Sequence, residues 1–386
     1  MDDFDAVRTQ IDDIDHTMLD LLKRRTELAA DVASYKAAHR LPVLDRGRER
    51  RIVADARSRV PDELKSYASA LMELLMGASR DAQNDILGTP STTAKAIKAA
   101  LCHAPELFPT DAFVATQGVE GAYQQIAADR IFNHAQISYL DSFEGVFKAV
   151  EEGFCDFGIL PLENSTAGSV NQIYDLMMRH DFYVVRTCRV KIDHNLLAKP
   201  GVGLEDITDI YSHEQAISQC SEFISSLKDV RVHTVENTAM ASKLVAESPD
   251  VGRGALASRE CAELYGLEAL ARNVQDKGNN YTRFACIATD LVIYPGADRS
   301  SLMLVVNHRP GALYKVLGSF FALDINITKL ESRPIPDRDF EFMFYFDIEC
   351  PAGSPRFPRL IKELSNVCEE FRYLPKIGRA SCRERV

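Results

Sequence analysis

Apolar residues at Phe4, Val7, Ile11, Ile14, Met18, Leu21, Leu22, Leu28 and Val32 recur at steps of three and four, which predicts one amphipathic helix from about residue 4 to about residue 39, ended by Pro42. At a rise of about 1.5 Å per residue this helix would be roughly 50 Å long, more than a small domain can cover by itself, so it calls for a partner helix. A second helix is expected from about Asp45 to Ser58. After Pro61 comes a third, from about Asp62 to Ile86, with Leu64, Leu71, Leu74, Leu75 and Ala78 on its apolar side. Three helices, one of them overlong, predict an all-α unit over residues 1–88 that forms an intertwined dimer.

Residues 89–110 read as a linker. Gly88, Pro90, Ser91, Pro105 and Pro109 break the pattern around a short helical stretch from Ala94 to Leu101. Beyond it the period switches between strand and helix: strand near Phe113, helix from Gly121 to Ile131, strand near Ile137, helix from Phe143 to Glu151, then strand from Phe157 to Leu160. This predicts an α/β domain over residues 111–294 with a mainly parallel sheet, closed off by Pro295 and Gly296. Residues 298–376 give the order βαββαβ, a ferredoxin-like α+β arrangement. Residues 377–386 have no apolar period and are expected to be a non-native or disordered tail.

The chain of 386 residues carries 46% hydrophobic and 26% charged residues, close to globular averages. Its longest apolar runs are too short for a membrane span, and Met1-Asp2-Asp3 opens no apolar signal core, so a cytoplasmic protein is expected. The nine scattered cysteines never form Cys-x-x-Cys, which fits reduced thiols. A net charge of -11 argues against nonspecific nucleic-acid binding. The histidines show no metal-ligand spacing, and no Gly-rich phosphate loop follows a strand, so neither a metal nor a nucleotide cofactor is expected.

Within the first helix, Arg25 and Lys36 lie about three turns apart on nearly the same face, roughly 16 Å between backbones, enough to bracket a dianion. Arg8 lies roughly 25 Å before Arg25 and about 100° away around the axis, so an antiparallel partner would have to bring it to the other chain's site. Asp45, Arg48 and Glu49, with Ser79 and Gln83 at i and i+4, complete a polar set. This set, spread across nearly all of residues 4–85, resembles the polar site of the all-helical chorismate mutase family. The resemblance implies rearrangement of chorismate to prephenate without a cofactor. Arg25 and, in trans, Arg8 would hold carboxylates, Asp45, Arg48 and Glu49 the hydroxyl end, and Lys36 and Gln83 the ether oxygen as it gains charge.

Residues 111–294 carry an ordered series: Glu163-Asn164-Ser165-Thr166-Ala167-Gly168, Tyr211-Ser212-His213, Gln219-Cys220, Glu236-Asn237-Thr238-Ala239 and Asn280-Tyr281-Thr282-Arg283-Phe284. The series resembles the prephenate dehydratase family, whose fold is two α/β lobes with the site in the cleft. By that resemblance Thr282 donates to the departing hydroxyl, Arg283 pairs with a substrate carboxylate, and Asn164, Ser212, Gln219 and Thr238 supply neutral contacts. Gly118-Val119-Glu120-Gly121-Ala122-Tyr123-Gln124 departs from the family's usual Gly-Pro-x-Gly-(Thr/Ser)-(Phe/Tyr)-Ser. The turn is expected to survive on its two glycines, without the hydroxyl contacts.

Residues 298–376 contain Arg309-Pro310-Gly311-Ala312-Leu313 and Glu331-Ser332-Arg333-Pro334, and resemble the ACT-type amino-acid sensors found behind prephenate dehydratases. The resemblance implies L-phenylalanine as effector, held by Gly311, Ala312, Leu313, Glu331, Ser332 and Arg333, with the carboxylate on free amides of a helix N-terminus. Together the three parts resemble a bifunctional chorismate mutase/prephenate dehydratase acting as a homodimer or higher homo-oligomer. The competing expectation is a noncatalytic amino-acid sensor built from a degenerate dehydratase and an ACT-type module.

Overall fold

The long apolar period of the N-terminal segment folds as one continuous helix, α1 (Asp2–Ala38). In this computed structural model, which describes residues 2–87, 92–336, 338 and 341–376, α2 (Arg46–Ser58) follows, then a single 3₁₀ turn, then α3 (Lys65–Leu87). Asp45 stops the chain from fraying into α2 by accepting the Arg48 amide at 2.9 Å, an N-cap that satisfies one orphan donor. α3 packs against both α1 and α2. The shared core is thin, with Ala29, Ala33 and Met76 buried. Meanwhile Phe4, Ile14 and Leu21 on α1 are 62%, 58% and 60% exposed. Each such side chain stands to gain roughly 1.5–3 kcal/mol on full burial.

The chain divides into two compact units, Met1–Thr92 and Thr93–Val386. Gly88, the first residues of the expected linker, 89–91, and the tail 377–386 lie outside the described residues. The short helical stretch expected within that linker forms helix α4 (Thr92–Cys102), two residues longer at its start and one at its end. It buries Ile97 in the apolar core of the C-terminal module beside Phe320 and Leu360, a packing that the linker reading did not foresee.

The second unit begins with β1 (Asp111–Gln117), α5 (Tyr123–Ile131), β2 (His134–Leu140), α6 (Phe143–Glu151), β3 (Phe157–Asn164), β4 (Gly168–Ser169), α7 (Asn171–Met177) and β5 (Tyr183–Lys191). It then builds a second lobe from β6 (Asn195–Ala198), β7 (Asp209–Ser212), α8 (Glu214–Gln219), α9 (Ser221–Ser226), β8 (Arg231–Thr234), α10 (Thr238–Glu247), β9 (Arg253–Ala257), α11 (Arg259–Tyr265) and β10 (Glu268–Ala271). The chain returns to the first lobe in β11 (Tyr281–Ala288).

The sheets run β2-β1-β3-β11-β5, with β4 beside β3, and β10-β6-β9-β7-β8. Both are mixed rather than mainly parallel. β11 is antiparallel to β3 and β5, and β6 is antiparallel to β9 and β10. The reason is topological: β6 enters the second lobe and β11 leaves it, so each runs against its neighbours. The expected glycine turn is present, with φ of 106° at Gly118 and 88° at Gly121, a backbone region open to glycine.

The C-terminal module consists of β12 (Arg299–Val306), α12 (Ala312–Ala322), β13 (Ile327–Pro334), β14 (Phe342–Ile348), α13 (Phe357–Val367) and β15 (Cys368–Lys376), with sheet order β13-β14-β12-β15. One sheet face packs Leu302, Leu304 and Phe346 against its two helices. The other face packs Met303, Val305, Met343, Tyr345 and Leu374 into the same core as Leu160 and Tyr174 of the first lobe. Among the described residues no helix is long and apolar enough to cross a membrane.

Candidate active sites

In the helical unit, Arg25 reaches from α1 to α3, where its Nη1 donates to the Leu75 carbonyl at 2.5 Å and to the Ser79 hydroxyl. Partial burial lowers the Arg25 guanidinium below its usual value. Arg25, Arg48, Arg51 and Arg59 line a cavity of about 690 Å³ with Ile52, Asp55, Ala56 and Met72. This surface suits a small polyanion.

Other members of the expected set turn elsewhere within the single chain. Lys36 Nζ donates to the Val43 carbonyl at 2.5 Å, and Gln83, buried, donates to the Ser79 carbonyl at 3.1 Å. Asp45 caps α2, and its amide bond from Arg48 holds the carboxyl below the usual carboxylate range. Glu49 pairs with Arg80. Arg8 is exposed, 3.8 Å from Asp5. The sequence reading missed Arg51, Arg59 and Arg80, although Arg48, Arg51 and Arg59 fall at i, i+3 and i+11 on one face of α2.

In the second unit three distant segments meet, from β3, α8 and β11. β3 and β11 pair in register, Thr282 opposite Asn164 and Arg283 opposite Glu163. Asn164 Nδ2 lies 3.0 Å from Thr282 Oγ1 and 2.7 Å from Asn280 Oδ1. Asn280 Nδ2 reaches Gln219 Oε1 at 2.8 Å, and Gln219 Nε2 reaches Thr166 Oγ1 at 2.9 Å. Thr282, Asn164 and Gln219 therefore come together as expected, while Asn280 and Thr166 were quoted in the motifs without a role. Ser212 does not join them. It is buried, and its Oγ donates to the Leu256 carbonyl at 2.7 Å within the second sheet. Thr238 is buried in the first turn of α10, capped by Asn237.

Arg283 requires a correction. Successive residues of a strand project to opposite faces, so it points away from Thr282 and toward the C-terminal module. There its Nε lies 2.7 Å from Glu163 and its Nη1 2.5 Å from Asp347. Burial opposes the charge, but the Asp347 and Glu163 carboxylates outweigh it and hold the guanidinium above its usual value. The carboxylates that satisfy Arg283 are the protein's own. Lys329 extends the cluster, 2.5 Å from Glu163 and 2.9 Å from Ser169, whose hydroxyl donates to Glu331 at 2.5 Å.

The expected effector residues divide in the same way. Ala312 and Leu313 line a small cavity of about 130 Å³ with Asn307, His308, Arg309 and Phe344, and Gly311 caps α12 with φ of 80°. Ser332 pairs with Phe344 and shares that face. Glu331 and Arg333 lie on the opposite face, where Arg333 makes two 2.9 Å bonds to Asp175. Within one chain they contact the first lobe, not the cavity.

Two family models match, chorismate mutase type II over residues 7–84 and prephenate dehydratase over residues 114–291. A bifunctional chorismate mutase/prephenate dehydratase from Aquifex aeolicus is 31% identical over 387 residues, covering 100% of both chains. Arogenate dehydratase 2 from Petunia hybrida is 35% identical over 278 residues, 68% of this chain and 70% of its own. Among solved structures, one described as a novel type of quorum quenching acylase, GqqA, has TM-score 0.63 and 32% identity over 68% of this chain and 98% of its own. A prephenate dehydratase from Arthrobacter aurescens in complex with L-Phe has TM-score 0.63 and 24% identity, over 68% of this chain and 88% of its own. Matched by both family models, and over its full length by a relative named for both activities, this chain belongs to the bifunctional chorismate mutase/prephenate dehydratase family.

Proposed function

We propose that the helical unit rearranges chorismate to prephenate and that the two-lobed domain converts prephenate to phenylpyruvate, in the service of phenylalanine synthesis. The observation that carries the reading is the convergence of Thr282, Asn164 and Gln219 in the second unit, together with an arginine-lined cavity within the helical unit. In the first reaction an ether C–O bond breaks as a C–C bond forms, and charge builds on the oxygen. Arg25 holds a carboxylate, Asp45, Arg48 and Glu49 the hydroxyl end, and Lys36 and Gln83 turn from their present carbonyl partners to the ether oxygen. Arg8 of a second chain completes the site, and the exposed stripe of α1 is the surface along which that chain packs.

In the second reaction the C–C bond to the ring carboxylate breaks, its electron pair enters the ring, and the ring C–O bond breaks. Carbon dioxide and water leave. Thr282 accepts from Asn164, so its own proton is free for the departing hydroxyl. The side chains bonded around it are neutral amides and hydroxyls. An acyl-transfer reading prompted by the acylase relative would require a base beside Thr282, and Asn164 is a donor there.

The C-terminal module binds L-phenylalanine near Ala312 and Leu313, the carboxylate on the α12 N-terminus, and biases the enzyme toward a less active state. The chain given chorismate alone should form prephenate and then phenylpyruvate. Accumulation of prephenate would remove the dehydratase, and consumption of neither compound would favour the noncatalytic sensor.

A further inference from the structure

The hydrogen-bond ring in the cleft has a definite sense, and a single anchor sets it. Asn164 Oδ1 receives the backbone amides of Thr166 at 3.0 Å and Ala167 at 2.9 Å. Backbone amides only donate, so that atom is oxygen, and the other side of the amide is the NH₂ group. The Asn280 atom it meets at 2.7 Å must then accept, which turns the Asn280 NH₂ to Gln219. The Gln219 atom there must be oxygen, so its NH₂ faces Thr166 Oγ1. Thr166 accepts from Gln219 and gives its own proton to Asn164 Oδ1 at 2.6 Å, which closes the ring.

His194 is locked by the same logic. Its Nε2 lies 3.1 Å from Gln219 Oε1, an atom that only accepts, so Nε2 carries the hydrogen. The ring is 2% exposed and its Nδ1 has no partner among the described residues. Burial pushes its pKa down, in keeping with a neutral imidazole. Gln219 Oε1 is thereby filled twice, by Asn280 and by His194.

The consequence is in what the ring leaves unused. The amide oxygens Asn164 Oδ1, Asn280 Oδ1 and Gln219 Oε1 are all occupied. The hydrogens without a partner in the ring include the Thr282 O–H and the second hydrogen of Gln219 Nε2. We infer that Asn280 and His194 are positioning residues for the dehydration: they hold the Gln219 amide oxygen to themselves, so that the Gln219 NH₂ and the Thr282 O–H, and no amide oxygen, are the groups offered to a substrate whose carboxylates and departing hydroxyl are acceptors. This inference rests on the dehydratase reading and adds two residues to it. An amide oxygen in place of that NH₂ would repel the same oxygens.

Asn280→Asp tests it in the full chain. The introduced carboxylate cannot donate, so Gln219 must rotate, put its oxygen where its NH₂ meets Thr166 and face His194 with an NH₂ group. His194 must then move its hydrogen to Nδ1. Three readouts are taken: prephenate turnover, chorismate turnover as the control for folding, and ¹⁵N spectra of the His194 ring. Prephenate kcat/KM is expected to fall about 10²-fold with chorismate turnover unchanged, and the His194 hydrogen to shift from Nε2 to Nδ1.

His194→Leu should lose about tenfold, and His194→Gln, which keeps a donor near the Nε2 position, should recover most of that loss. An Nδ1–H tautomer in the wild type, or an Asn280→Asp chain within threefold of wild-type prephenate turnover, would overturn the inference. A wild type that leaves prephenate untouched would refute the dehydratase reading instead, and it is measured first.

Discussion

The two candidate sites of this chain differ in how complete they are. In the second unit, Asn164, Thr166, Gln219 and Asn280 bond to one another in a closed ring within a single chain. In the helical unit the polar residues are held apart: Lys36 and Gln83 donate to backbone carbonyls, Arg8 is exposed, and the apolar stripe from Phe4 to Val32 lies open. Preorganisation is therefore a single-chain property in one site. In the other, the proposed dimer would supply it, a second chain covering the stripe and bringing its Arg8. The difference follows from architecture. A mixed sheet brings residues 164 and 282 side by side by register, whereas a lone helix spaces its residues along a line.

The largest effects should separate the sites. Thr282→Val keeps the shape and removes the hydroxyl, and should lower prephenate turnover about 10²- to 10³-fold while leaving chorismate turnover intact. Lys36→Ala should do the reverse by a similar factor. Parallel loss of both activities in either variant, measured on the purified chain, would mean that the two sites are not independent.

A smaller effect concerns the face behind the cleft. Arg333 bonds to Asp175 of α7, and Asp347 of the C-terminal sheet to Arg283 of β11, so that sheet grips both α7 and the strand whose other face carries Thr282. Arg333→Ala should weaken L-phenylalanine inhibition several-fold, by loosening this grip rather than by removing an effector contact. Inhibition curves combined with calorimetric L-phenylalanine binding distinguish the two. Binding lost in proportion to inhibition would return Arg333 to the effector site.

Much of this was legible in the sequence. The three helices, the α/β region and the βαββαβ order follow from period, while the two lobes and the turn at Gly118 and Gly121 come from the family resemblance, the turn resting on its two retained glycines. The failures share a physical cause, which is that motif membership does not say which way a side chain points. Thr282 and Arg283 are adjacent in one motif, yet strand alternation sends them to opposite faces. Glu331 and Arg333 sit two apart on β13 and therefore share the face that meets the first lobe. Glu49 finds Arg80 only through the packing of α2 on α3, a long-range contact with no local signal. Nor does spacing reveal the Gln219 to Asn280 bond, since the chain between them crosses a whole lobe.

The smallest expected effect is on stability. His194 is depressed by burial, so the unfolded chain binds its proton at a higher pH than the folded chain does. Stability should therefore be flat above the ordinary histidine value of about 6.5 and fall as pH drops from there toward the depressed value, by at most about 1.4 kcal/mol per pH unit for one proton. Denaturant unfolding across that window should show a shallower slope for His194→Gln. Equal slopes would mean that His194 titrates alike in both states.

The sharing of one site and not the other can be read in a single pair of mixing experiments. Arg8→Ala and Lys36→Ala chains, each nearly inactive on chorismate, are refolded together. Random pairing makes about half the dimers mixed, each with one intact mutase site of two, so roughly a quarter of wild-type chorismate turnover should return. Thr282→Val and Gln219→Leu chains mixed in the same way should recover no prephenate turnover, because both residues belong to one chain's cleft. No recovery in the first mixture with mixed dimers present, or recovery in the second, would contradict the account.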